Sequence, residues 1–149
     1  LVDKAIEEML KADLKINAAA AITFNDIVDA IALLNKENDE EAGLFMLVNP
    51  AMKGALRKVL GDDLKYSESF ARTGYIGSVC GIPVVVSKAV PDGKAIVASP
   101  KAVTCFVKKD SEVETDREQN TRTNTIYGRF VNVVALTDAS EVVVITAGA

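Results

Sequence analysis

The chain has no histidine. That removes the commonest general base, the commonest transition-metal ligand and both the Ser-His and the Cys-His nucleophile pairs, so most hydrolase chemistry has no carrier here. Cysteine is scarce. Cys80 and Cys105 are too few and too far apart for a disulfide scaffold or a four-ligand zinc site. Both are expected to be buried thiols in a reducing compartment. Cys80, followed by Gly81-Ile82-Pro83 with no activating partner nearby in sequence, is expected to be an inert strand thiol. No stretch approaches the roughly 20 apolar residues that span a bilayer, and no basic-then-apolar leader opens the chain, so a soluble protein without a membrane partner is expected. A surplus of basic charge is also missing: 17 Lys and Arg stand against 21 Asp and Glu, a net charge of −4. Gripping phosphates needs clustered cations, so nucleic acid is not expected as a direct ligand. The first residue is Leu1 rather than Met, which leaves room for an upstream piece.

What is present is globular. Of 149 residues 49% are hydrophobic and 26% charged, far from the signature of disorder. A domain of this length buries roughly 70% of its unfolded surface, which is enough for one core.

Apolar residues at Val2, Ile6, Met9, Leu10 and Leu14 have the 3–4 spacing of an amphipathic helix. The alanine-rich run from Asn17 to Ala21 has no periodicity and reads as a connector. Thr23 before Phe24-Asn25-Asp26 is an N-cap with an acid at the third helical position, and Ile27, Ile31 and Leu34 continue one stripe to about Asn35. Leu44 to Val48 has strand length and ends at Asn49-Pro50, which announces a helix carried by Met52, Leu56, Val59 and Leu60 and closed by Gly61. Gly61 to Thr73 reads as an exposed loop. Strands are expected at Tyr75 to Cys80, at Ile82 to Ser87 and at Lys94 to Ser99, the last a neighbour of the second across the Pro91-Asp92-Gly93 turn. Val103 to Val107 follows, then a polar stretch from Asp110 to Asn124 that reads as a solvated hairpin or interface arm. Ile126 to Leu136 and Glu141 to Ile145 read as two closing strands. The class is α+β, without an internal repeat.

No catalytic residue, cofactor or metal-ligand set emerges. Gly74, Gly77 and Gly81 mimic a phosphate loop, but no Gly-Lys-Ser/Thr opens a helix and a strand with Pro83 follows, so a bend or bulge is the better reading. Asp62 with Asp63, and Asp39 with Glu40 and Glu41, lack the alternation and turn glycine of a calcium loop. Asp110, Glu112, Glu114, Asp116 and Glu118 alternate so that an extended strand places them on one face. Such a row repels itself unless cations face it, and Lys108, Lys109, Arg117, Arg122 and Arg129 are nearby in sequence. Two readings stay open: a charged contact between subunits, or a polar edge that resists aggregation.

The order of these segments resembles the major capsid proteins of tailed phages, the Hong-Kong-97-like fold. Leu47-Val48-Asn49-Pro50 leading into the helix Ala51 to Leu60, with Arg57 or Lys58 as its basic residue, is similar to that family's strand, Asn-Pro, helix unit. Gly77-Ser78-Val79-Cys80-Gly81-Ile82-Pro83-Val84-Val85-Val86-Ser87 is similar to its glycine turn and Gly-Ile-Pro-Val strand. Ser99-Pro100-Lys101-Ala102-Val103 and Val113-Glu114-Thr115-Asp116-Arg117-Glu118 extend the likeness, which covers about Thr23 to Ile145. The resemblance implies an axial domain (about 23–107) with part of a peripheral domain (about 108–145), without the family's N-terminal arm and spine helix. It implies a structural subunit whose partner is a second copy of itself, forming pentamers and hexamers of a DNA-filled icosahedral head, with scaffold and portal proteins as further partners. The interface residues it suggests are Asp62, Asp63, Lys65 and Arg72 near the capsomer centre, and Glu112, Glu114, Asp116, Arg117 and Arg122 toward a neighbour. An encapsulin-like compartment shell shares the same fold. A small-molecule-binding α+β domain with its pocket at Gly74 to Gly81 is the rival of a different class.

Overall fold

The computed structural model describes residues 1–34, 43–64 and 77–148. Among the described residues the elements run α1 (Val2–Met9), β1 (Lys15–Ala18), α2 (Phe24–Leu33), β2 (Phe45–Val48), α3 (Pro50–Leu64), β3 (Ser78–Val79), β4 (Ile82–Val86), β5 (Lys94–Ala98), β6 (Val103–Glu118), β7 (Thr123–Leu136) and β8 (Val142–Ala147). A 3-10 turn at Ala139–Glu141 precedes β8. The six-stranded sheet has the order β1-β8-β5-β2-β4-β3, and β6 pairs with β7 in a separate two-stranded ribbon. Parallel pairs β1/β8 and β2/β4 flank antiparallel β2/β5 and β5/β8, a mixed sheet.

The middle of this sheet is covered on both faces, which is why its strands read as unbroken apolar runs. Side chains alternate across the pleat, so each central strand divides its residues between two cores. Ala95 and Val97 of β5, Val143 and Ile145 of β8, and Met46 and Val48 of β2 pack with Ile27, Ala30 and Ile31 of α2 and Met52 and Leu56 of α3. Ile96 and Ala98, Val142 and Val144, and Leu47 face the other way, onto Ile6 and Met9 of α1. The body is therefore three layers, α2 and α3 on one side and α1 on the other.

Local chemistry sets the entries to the helices. Thr23 and Asp26 form a reciprocal capping box at α2: the Asp26 amide donates to Thr23 Oγ1 and the Thr23 amide donates to Asp26 Oδ2 at 2.7 Å. Asn49 has two tasks. Its Oδ1 accepts from the Ala51 amide at 2.9 Å, capping α3 at Pro50, while its Nδ2 donates to the Val90 carbonyl at 2.9 Å. The second bond holds the segment that crosses from β4 to β5, and the Ser87 amide, donating to the Val48 carbonyl at 2.9 Å, holds its other end.

Several expectations from sequence are corrected. The first helix stops at Met9 because the chain tightens into i→i+3 bonds (Lys11 amide to Glu8, Ala12 amide to Met9) and Leu14 then joins the sheet through its carbonyl. Asn17 and Ala18, expected to begin a connector, instead complete β1, an edge strand parallel to β8. Helix α3 does not end at Gly61 but runs through Asp62 and Asp63 to Leu64. Lys94 to Ala98 is not the neighbour of β4: β2 lies between, parallel to one and antiparallel to the other. Ile126 to Leu136 does not close the sheet but belongs to the ribbon. Both cysteines are exposed rather than buried, Cys80 in the tight turn joining β3 to β4, with φ 52°, followed by Gly81 at φ 78°. Tyr75 and the loop expected up to Thr73 lie largely outside the described residues, as do Asp39, Glu40, Glu41 and Gly74.

Candidate functional site

The ribbon is the feature the core does not explain. β6 has 16 residues and β7 has 14, which at about 3.3 Å per residue makes an arm about 50 Å long. Its root is fastened: Val103 and Leu136 pack against the α1 side of the core, the Thr137 amide donates to the Ala102 carbonyl at 2.8 Å, and Thr137 Oγ1 donates to Thr104 Oγ1 at 2.6 Å. Beyond the root nearly every residue is exposed. A two-stranded hairpin in water is marginal without a layer to cover it.

The two faces differ in chemistry. In the uninterrupted register from Glu112↔Arg129 to Glu118↔Thr123, residues Glu112, Glu114, Asp116 and Glu118 share one face with Arg129, Tyr127, Thr125 and Thr123. Glu112 also pairs with Lys109 on its own strand. The opposite face presents Val113 and Ile126, 69% and 68% exposed, and Phe130, 48% exposed. Register shifts at Val107/Lys109 and Lys109/Glu112 mark irregularities that re-aim the strand between root and tip. At the tip Arg122 takes φ 53°, and Thr121 Oγ1 donates to Glu118 Oε2 at 3.0 Å.

The residues suggested by sequence thus fall into separate places. Glu112, Glu114 and Asp116 form a row on one face of the arm, Arg117 lies on the other face opposite Asn124, and Arg122 is at the tip. Asp62 and Asp63 sit in the last turn of α3. Lys65 and Arg72 lie outside the described residues. Sequence reasoning named Arg129 among the nearby cations, and the register sets it directly across from Glu112; it missed the apolar stripe. Its signal was in the spacing of Ile126, Gly128 and Phe130, which keep one parity along β7. Among the described residues no group of three or more Cys, Asp or Glu is placed to hold a metal ion.

A solved structure from Mycobacterium phage Che8 superimposes on 94% of this chain with TM-score 0.73 at 22% identity, the match covering 55% of that chain. The capsid structure of the cyanophage P-SCSP1u matches 99% of this chain with TM-score 0.72 at 12% identity, over 60% of its own length. The fold is Hong-Kong-97-like. The sequence narrows this further. The family model described as phage capsid protein matches residues 2–145, so the chain belongs to that family. The major capsid protein of Staphylococcus phage phiMR11 is 31% identical over 153 residues, covering 96% of this chain. The chain spans about half the length of that relative, 53%.

Proposed function

We propose that this chain is the shell-building portion of a tailed-phage major capsid subunit, a structural protein that joins copies of itself into pentamers and hexamers tiling an icosahedral head around DNA. The observation that carries the reading is the arm: a compact three-layer body projects a ribbon about 50 Å long whose apolar face has no cover among the described residues. Such a surface gains its free energy only against a partner.

In this reading the six-stranded body, with β1 and β8, is the axial unit and the arm of β6 and β7 is peripheral. Asp62 and Asp63, ending α3, lead toward the capsomer centre with Lys65 and Arg72. Glu112, Glu114, Asp116, Arg117 and Arg122 meet a neighbouring subunit. Net negative charge suits a container that confines DNA without gripping it. Scaffold and portal proteins are the further partners this role implies, and the virion, assembled in the host cytoplasm, is its place.

Negative-stain electron microscopy of the full-length protein tests the proposal. Capsomer rings or closed shells containing DNA are expected. Shells that enclose protein cargo instead would move the reading to an encapsulin-like compartment. A small discrete particle at every concentration and salt would remove the shell reading, and a ligand that raises the melting temperature would then favour a binding domain.

A further inference from the structure

Resting on the ring-forming reading above, we infer that the ring closes head to tail through the two opposite edges of the six-stranded sheet: Val86 of β4 in one copy docks into the groove beside β1 of the next. The sheet ends in β1 on one side and in β4 with the two-residue β3 on the other. Along the β1 edge an open groove of about 410 Å³ is lined by Ile16, Asp29, Ala32 and Leu33. Leu33, at the end of α2, is 51% exposed and Ile16 is half-buried.

The opposite edge is its complement. Among the described residues β3 pairs with Ile82 and Pro83, so β4 continues past it, and Val86 is 40% exposed. Val86 alternates with Ile82 and Val84, which face the α2 and α3 core, and Ile16 packs against that same core. Both apolar patches therefore lie on the same side of the sheet, as they must if two sheets meet edge to edge. Charge agrees: exposed Asp29 borders the groove and exposed Lys88 follows β4. A patch and its complement at opposite ends of one subunit make a heterologous contact, which closes into a ring when the rotation allows.

Cross-linking in the full-length protein tests this. With Cys80→Ser and Cys105→Ser as background, Leu33→Cys and Val86→Cys together are expected to give, on mild oxidation, a ladder on a non-reducing gel that runs past the dimer. Leu33→Cys alone should give no such ladder. Dimers only from the paired variant would show a symmetric contact and overturn the head-to-tail assignment. Monomers only, while microscopy still shows rings, would overturn these edges and leave the shell reading standing. Monomers with no rings in the parent protein would overturn both.

Discussion

Asn49 offers a separable test of how the body is held, because its two bonds belong to different structures. Oδ1 caps α3 through the Ala51 amide and Nδ2 clamps the β4-to-β5 crossover through the Val90 carbonyl. Asn49→Ser keeps a capping oxygen but cannot reach as a donor across the crossover. Asn49→Ala loses both. The cap contributes about 1 kcal/mol. The clamp, on a half-buried side chain, contributes about 1 kcal/mol, at the low end of the cost of leaving an acceptor without its donor. Asn49→Ser is thus expected to cost about 1 kcal/mol and Asn49→Ala about 2, and at about 3 °C per kcal/mol for a domain of this size the melting temperature falls by about 3 and 6 °C. Urea denaturation with a shared m-value gives the same ordering in midpoint. Equal losses for the two variants would show that the cap contributes nothing, and losses within 0.5 kcal/mol for both, about the noise of a neutral surface change, would refute the role of Asn49 altogether.

Thr23→Ala should destabilise by about 1 kcal/mol, read by thermal melting, with Thr23→Ser close to wild type because it retains the capping hydroxyl. Gly54, mid-helix in α3 with nothing within 4 Å of an added Cβ, should stabilise when changed to Ala by about 0.5–1 kcal/mol, whereas Gly93→Ala at φ 74° should destabilise. Amide exchange should be faster by orders of magnitude along the distal arm, at Glu114 and Thr115, than at Ile96 and Val97 in the sheet centre. Partial desolvation pushes the Cys80 thiol up from its ordinary value, which disfavours the thiolate. Its alkylation rate should therefore rise with pH through a midpoint above that of a short cysteine peptide, and a midpoint at or below the peptide's would refute the desolvation account.

The parts of this fold that were legible in sequence are those where burial dictates pattern. Thr23 through Asp26, Asn49-Pro50 and the apolar runs of β2, β4, β5 and β8 announce themselves because capping and two-faced burial each demand particular residues. Strand adjacency did not follow from them. Pro91-Asp92-Gly93 reverses the chain, but the same reversal serves a hairpin or a crossover, and it is the insertion of β2 between β4 and β5 that makes it a crossover. The arm was half legible. Glu112, Glu114 and Asp116 do fall on one face, as alternation requires, yet β6 reads as a short strand from Val103 to Val107 and then a polar stretch, because no core selects its residues and the bulge region breaks the period. Cys80 and Cys105 were misjudged for a related reason: composition says where cysteines usually sit, while a positive-φ turn and an uncovered ribbon put these two outside.

In the proposed role the arm's apolar face serves assembly rather than the stability of the body. The most direct measurement is electron microscopy of the full-length protein carrying Val113→Ser, Ile126→Ser and Phe130→Ser together, beside its thermal melt. All three are exposed on one ribbon face, so the melting temperature should stay within about 2 °C, while burial lost at each contact, about 1–2 kcal/mol per residue, should weaken association by well over tenfold and abolish closed shells. Shells that form as in the wild type would contradict the account.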